Sequence, residues 1–186
     1  MAGPRALAET RAPRAVLAPI HAALGIDAAR LRGRGLRMLA EARRLQPVGL
    51  GTDGRDKFLL PAAAGAWLAM REAARGEGIE LLLVSAFRSY AFQAALIGAK
   101  RERGVPLDEI LNVNAAPGYS EHHSGRAVDI GFAGVAALDD AFERTPAFTW
   151  LQGNAQRFGF SMSYPRGNRQ GYVYEPWHWC WHRTGA

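Results

Sequence analysis

Two short stretches constrain this chain more than anything else in it. Residues 120–129 read Ser-Glu-His-His-Ser-Gly-Arg-Ala-Val-Asp, and residues 175–178 read Glu-Pro-Trp-His. Together they offer two imidazoles and a carboxylate suited to one divalent metal, with a spare carboxylate beside them. That is the inventory of a catalytic zinc centre: three protein ligands, an open position for water and a base for the water's proton. The stretches lie far apart in sequence, so the rest of the chain reads as the frame that brings them together.

Ala127-Val128-Asp129-Ile130 has the composition of a strand, in which side chains alternate between faces. Val128 and Ile130 then face a core, and Asp129 faces the other way with Ala127. A carboxylate held on a strand beside a small neighbour suits a metal; the alternative is an aspartate paired with an arginine. His122 lies upstream across Gly125, a residue that lets the chain bend and approach closely. His122 and His123 are adjacent, so one of them points into the site, and spacing alone does not choose. Glu175 and His178 would face opposite sides of a perfect strand. Pro176 fixes its own φ and removes a donor, which favours a bend that lets the two converge. The competing reading makes Trp177, Trp179 and Trp181 a core stripe with His178 an incidental neighbour. It explains the tryptophans but not the charged interruption. Arg88 sits where a strand gives way to a helix, and a guanidinium there can pair with a carboxylate or stabilise an oxyanion.

The chain has 186 residues, enough for one domain with a sizeable core. No apolar run approaches the roughly 20 residues of a membrane span. The single cysteine, Cys180, excludes an internal disulfide and a multi-cysteine zinc site, and reads as a small buried hydrophobe between Trp179 and Trp181. The net charge is +6, but it is uneven: residues 1–45 hold nine arginines against Glu9, Asp27 and Glu41, whereas residues 46–186 balance 14 basic with 14 acidic residues. The body is therefore neutral. The basic arm reads as a solvated face, with contact to a polyanion as the alternative. Nothing in the body resembles a nucleic-acid module, and no specific nucleic-acid partner is expected. Arg5, Arg11 and Arg14 precede an apolar run at 15–26, a loose echo of a signal peptide, but Pro19 and His21 interrupt it and no cleavage site follows. The chain as written reads as cytoplasmic, with the periplasm or cell envelope as the alternative, and as a monomer.

Element by element, Pro13 and Pro19 limit any helix over 4–24, and Asp27 caps a basic amphipathic helix over about 28–45. A loop follows at 49–54. Pro61 opens a helix to about 75 that buries Leu60, Trp67, Leu68 and Met70. Residues 79–86 are too short for a buried helix and read as a central strand. Ser89 caps a helix over about 90–103. Residues 106–118 read as loop with one short helical turn. Strands are expected at 127–132, 160–164, 171–174 and 177–181, and a helix at 149–158. The class is α+β, a small antiparallel sheet flanked by helices, with residues 1–50 as an N-terminal helical basic extension and 51–186 as the body.

These pieces also carry a resemblance. Ser120-x-His122-x-x-Gly125-x-Ala127-x-Asp129, followed by Glu175-x-Trp177-His178, resembles the paired signatures of the zinc D-alanyl-D-alanine carboxypeptidase and dipeptidase family. That family includes VanY and VanX types, L,D-carboxypeptidases and some endolysins, and shares its fold with the Hedgehog signalling domain. Ser85-Ala-Phe-Arg88-Ser-Tyr-x-x-Gln93 resembles the family's arginine segment, and the likeness covers about residues 58–182. It implies a zinc metallopeptidase acting on peptidoglycan stem peptides or other D-Ala-terminated peptides. His122, Asp129 and His178 would be the metal ligands and Glu175 the catalytic base. Arg88 would polarise the scissile carbonyl or bind the terminal carboxylate, Ser120 and Gln93 would help hold that carboxylate, and Tyr164 would line the pocket. Ala86 and Phe87 replace the usual Gly-Tyr, His123 stands where glutamine is usual, and Cys180 where arginine is frequent. Alternatives within the class are an L,D-carboxypeptidase, a D,D-dipeptidase or an endopeptidase; outside it, a non-catalytic zinc module.

Overall fold

The computed structural model describes residues 14–27, 29, 31 and 34–183. Among these residues, helices run in the order α1 (Arg14–Leu24), α2 (Pro61–Gly76), α3 (Tyr90–Glu102), α4 (Leu107–Val113) and α5 (Pro146–Asn154). The strands are β1 (Gln46–Leu50), β2 (Asp56–Leu59), β3 (Leu82–Ser85), β4 (Ala127–Gly131), β5 (Phe160–Met162) and β6 (His178–Trp181). β1 and β2 form a hairpin, and the other four make an antiparallel sheet in the order β3-β4-β6-β5. The α+β class expected from the sequence is the one observed. No helix among the described residues is long and apolar enough to cross a membrane.

The strand period decides where the core lies. Val128, Ile130 and Trp179 turn one face of the sheet toward α2 and α5, where they join Trp67, Met70 and Leu151 in the main core. Full burial of a side chain such as Met70 or Leu151 contributes ~1.5–3 kcal/mol. The opposite face carries Ala127, Asp129, His178 and Cys180, all buried beneath the loop at 115–125. A second cluster, with Leu24, Ile97, Ile110 and Leu111, joins α1, α3 and α4.

Local signals account for the helix starts. Pro61 occupies the first turn of α2, where its missing N–H is no loss. The Ser89 side chain accepts from the Phe92 amide at 3.1 Å and opens α3. α5 begins three residues before the expected start at 149, because Thr145 accepts from the Phe148 amide at 3.2 Å and Pro146 follows it. Residues 155–158 tighten into a 3₁₀ turn closed by Gly159 in the left-handed region. Of the residues expected to face inward on α2, Leu68 is exposed.

Two expectations are corrected. The helix over 28–45 does not form across its described C-terminal part: residues 36–42 are not helical. There the backbone finds partners in the body, with the Leu39 amide donating to Gly118 O at 2.7 Å and the Ala42 amide to His123 O at 2.7 Å. Residues 171–174 are not a strand. Asn168 takes both backbone groups of Tyr172, accepting at 3.1 Å and donating at 2.8 Å, and the Val173 amide goes to Asn112 O. The expected loop at 49–54 is found, as the tip of the β1/β2 hairpin, whose register pairs Gln46 with Leu59. α1 also forms despite Pro19 inside it.

Candidate active site

The site lies where three chain segments meet on the inner face of the sheet. Its first part is a 3₁₀ turn, Glu121–Ser124, closed by Gly125 at φ +66°. A Cβ at Gly125 would sit 2.9 Å from the Leu60 amide nitrogen and 3.1 Å from Ala42 Cβ, so both conformation and space demand glycine there. The turn feeds directly into β4, which carries Asp129. On the neighbouring strand His178 is the register partner of Asp129. Pro176 and Trp177 form a turn in which the His178 amide donates to Glu175 O at 3.1 Å. That bend swings the Glu175 carboxylate to 3.8 Å from His178 Nδ1.

His122, Asp129 and His178 are all buried, and one ligand atom from each lies within 4.8 Å of the others. His122 Nδ1 donates to Ala86 O at 2.6 Å, which leaves Nε2 as the bare nitrogen. That Nε2 has no hydrogen-bond partner and sits 3.2 Å from Asp129 Oδ2. His178 Nδ1 lies 2.9 Å from Asp129 Oδ1. A buried imidazole nitrogen aimed without a partner at a carboxylate and a second imidazole fits a metal better than it fits a packed core. His123, its neighbour in sequence, points elsewhere: its Nδ1 donates to Arg88 O at 2.6 Å and its ring meets Tyr90 edge-on.

The electrostatics of the metal-free protein match this geometry. Burial alone would raise the Asp129 carboxyl, but the imidazoles of His122 and His178 outweigh it and hold it well below the usual range. Burial also disfavours a charged His178, yet its hydrogen bonds to Asp129 and Glu121 push it up to about 10. Burial, with Arg88 nearby, lowers His122 to about 4. Burial raises Glu175 to about 7, the value suited to a base working near neutrality.

A cleft of about 320 Å³ opens over these groups, and Arg88, Gln93, Ser120, Tyr164, Tyr172 and Glu175 are among its walls. Arg88 donates to Gln93 Oε1 at 3.3 Å and to Asp129 Oδ2 at 3.4 Å. Gln93 donates in turn to Ala115 O at 2.8 Å, which fixes its amide with the oxygen toward Arg88. Tyr164 lies 4.8 Å from the His178 ring. All eight residues expected at the site are thus in one place.

The VanY, D-alanyl-D-alanine carboxypeptidase, family model matches residues 56–184. The chain belongs to the VanY D-alanyl-D-alanine carboxypeptidase family. YodJ of Bacillus subtilis (strain 168), named as a carboxypeptidase, is 36% identical over 131 residues, covering 67% of this chain and 46% of that protein. The chain thus spans about half the length of that relative. Among solved structures, the LdcB LD-carboxypeptidase superposes with a TM-score of 0.67 at 32% identity, covering 76% of this chain and 69% of that one. A vancomycin-resistance D,D-pentapeptidase, VanY, in a mutant form complexed with Zn(II), has the same fold at a TM-score of 0.57 and 24% identity, covering 74% of this chain and 78% of that one.

Several residues around this VanY-family site were not anticipated. Glu121 accepts from His178 Nε2 at 2.9 Å and from Ser163 Oγ at 2.5 Å. Its place inside the 120–129 stretch was the only sequence signal, since no spacing rule selects it. Tyr172, whose buried hydroxyl lacks a partner, lines the cleft, and Arg34 lies 4.3 Å over its ring while donating to Leu111 O and Gln170 O. Arg34 falls outside the stretch that the family model covers. Cys180 is buried, and burial with the Glu121 charge pushes its thiol well above the ordinary range.

Proposed function

We propose that this chain is a zinc-dependent carboxypeptidase that removes the C-terminal D-alanine of peptidoglycan stem peptides of the D-Ala-D-Ala type. The observation that carries the reading is the pairing of Glu175, buried and held up to about 7, with a His122–Asp129–His178 group whose ligand atoms converge within 4.8 Å. Membership of the VanY family supports it, and a relative of the same fold has been crystallised with Zn(II). His122 through Nε2, the Asp129 carboxylate and His178 through Nδ1 would hold the metal. Zinc bound there acidifies a water and polarises a carbonyl.

The chain's own residues account for the remaining steps. Glu175 takes the proton of the attacking water and returns it to the amine of the departing D-alanine. Arg88, held by Gln93 and by Asp129, places its guanidinium at the cleft, where it stabilises the oxyanion. Ser120, buried at the start of the turn that carries His122, is left to meet the substrate's terminal carboxylate. Gln93 acts through Arg88, since its amide is engaged with Ala115 and with the guanidinium. Tyr164 walls the pocket beside His178. A wall substrate would place the working protein in the cell envelope.

The test is D-alanine release by the zinc-loaded protein from stem pentapeptide, stem tetrapeptide and free D-Ala-D-Ala, with Glu175→Ala as control. Release from the pentapeptide, lost in the control, is the expected result. No release from any of the three by fully zinc-loaded protein would overturn the reading. The likeness to the LdcB LD-carboxypeptidase favours one second reading, cleavage of the L,D bond. Release from the tetrapeptide and not the pentapeptide would select it.

A further inference from the structure

We infer that Glu121 is a positioning residue for the metal centre: with Ser163 behind it, it fixes the tautomer of His178 so that Nδ1, and not Nε2, faces the metal. The inference rests on the metal reading of the site but not on any particular substrate. It concerns a residue adjacent to one ligand in sequence that acts on another, His178, far along the chain.

The argument begins with the two rings. His122 must carry its proton on Nδ1, because that nitrogen faces the carbonyl of Ala86 at 2.6 Å, and a carbonyl can only accept. His122 therefore presents Nε2. His178 stands the other way round. Its Nε2 lies 2.9 Å from Glu121 Oε2 and its Nδ1 2.9 Å from Asp129 Oδ1, so a carboxylate faces each nitrogen. Only one of these nitrogens can surrender its proton to a metal. Asp129 lies among the ligand atoms and Glu121 does not, so the Nε2 side is where the proton stays.

Glu121 is built to keep it there. The same Oε2 that faces His178 also accepts from Ser163 Oγ at 2.5 Å. That one oxygen is therefore held from two sides, by the ring and by the serine. The Ser163 hydroxyl also resists rotation of the carboxylate away from the ring. Ser163 follows directly on β5, the strand beside β6, so the contact is set by the sheet and not by a loose loop. An N–H donated to a carboxylate raises the donor strength of the opposite ring nitrogen and holds the ring plane in place.

Zinc affinity of the purified full chain, measured by chelator competition with the metal alone and no peptide, tests this. Glu121→Gln leaves an oxygen that can still accept from Nε2 but removes the negative charge. It is expected to bind zinc roughly 10–100-fold more weakly than the wild type. Equal affinity in the two proteins would overturn the inference. A second measurement needs no variant. Imidazole nitrogen resonances of the zinc-loaded wild type should show His178 protonated at Nε2 and metal-bound at Nδ1. Metal on Nε2 would overturn it even if Glu121→Gln failed to fold. Neither readout depends on turnover, so an inactive but zinc-binding protein would count against the peptidase reading alone.

Discussion

Asp129 and His178 face each other as register partners on antiparallel strands β4 and β6, with Oδ1 and Nδ1 2.9 Å apart. Cross-strand partners project on the same side of a sheet, so this pair is set by the ladder itself. Either substitution, Asp129→Ala or His178→Ala, is expected to abolish stoichiometric zinc binding while far-ultraviolet circular dichroism stays close to that of the wild type. Retained stoichiometric zinc in both would remove them from the ligand set.

Glu175 lies beside the ligands without belonging to the converging group. Glu175→Ala should keep its zinc and lose about 10²–10⁴-fold in kcat, the usual contribution of a positioned base. A variant that lost zinc as well would reassign Glu175 from base to ligand.

The pH profile follows from the same residue. Burial holds Glu175 at about 7, and the base must be ionised to accept a proton, so kcat/KM should climb with pH through that value on its acid limb. An acid limb near 4.5, the ordinary value of a glutamate, would mean that the carboxyl is solvated in the working enzyme.

Stability without metal should also depend on pH. His178 rises from 6.5 to about 10 on folding, so its contribution is complete below pH 6.5 and disappears as pH climbs through 10. Glu175, raised on folding, adds a loss in the same direction between its ordinary value and about 7. Calorimetry in chelator should therefore show a midpoint that falls between pH 6.5 and 10. A flat midpoint over that range would contradict the charge pattern described for the site.

At Gly125, a side chain would meet the Leu60 amide at 2.9 Å while the backbone held φ at +66°. Gly125→Ala should cost ~1–3 kcal/mol, seen as a thermal midpoint several degrees lower, and should weaken zinc binding because the turn carrying His122 shifts with it. An unchanged midpoint would show that the turn relaxes freely.

How much of this was legible in the sequence differs from part to part. The helix starts at Pro61 and Ser89 were legible because local chemistry sets them. So was the approach of Glu175 to His178, since Pro176 leaves the backbone little choice but to bend. Residues 34–45 were not. Their composition favours a helix, but Gly118, His123 and Tyr90, remote in sequence, take the backbone groups a helix would need. Residues 171–174 are rich in strand-forming tyrosine and valine, but Asn168 and Asn112 claim the backbone groups a ladder would need. Glu121 escaped notice because its partner His178 is fixed by tertiary register, to which spacing within a single stretch is blind.

The backbone bonds of Leu39 and Ala42 flank the segment that carries Ser120 and His122. One jaw of the cleft is thereby clamped from behind. The opposite jaw, residues 165–174 with Tyr172, is tied to itself through Asn168 and to the rest through the Val173 amide, Arg34, the Arg166–Glu143 ion pair and the packing of Tyr172 on Tyr164. One wall is thus fixed by backbone bonds and the other mostly by side chains. Exchange of residues 165–174 would therefore reshape the cleft while His122, Asp129 and His178 stayed converged.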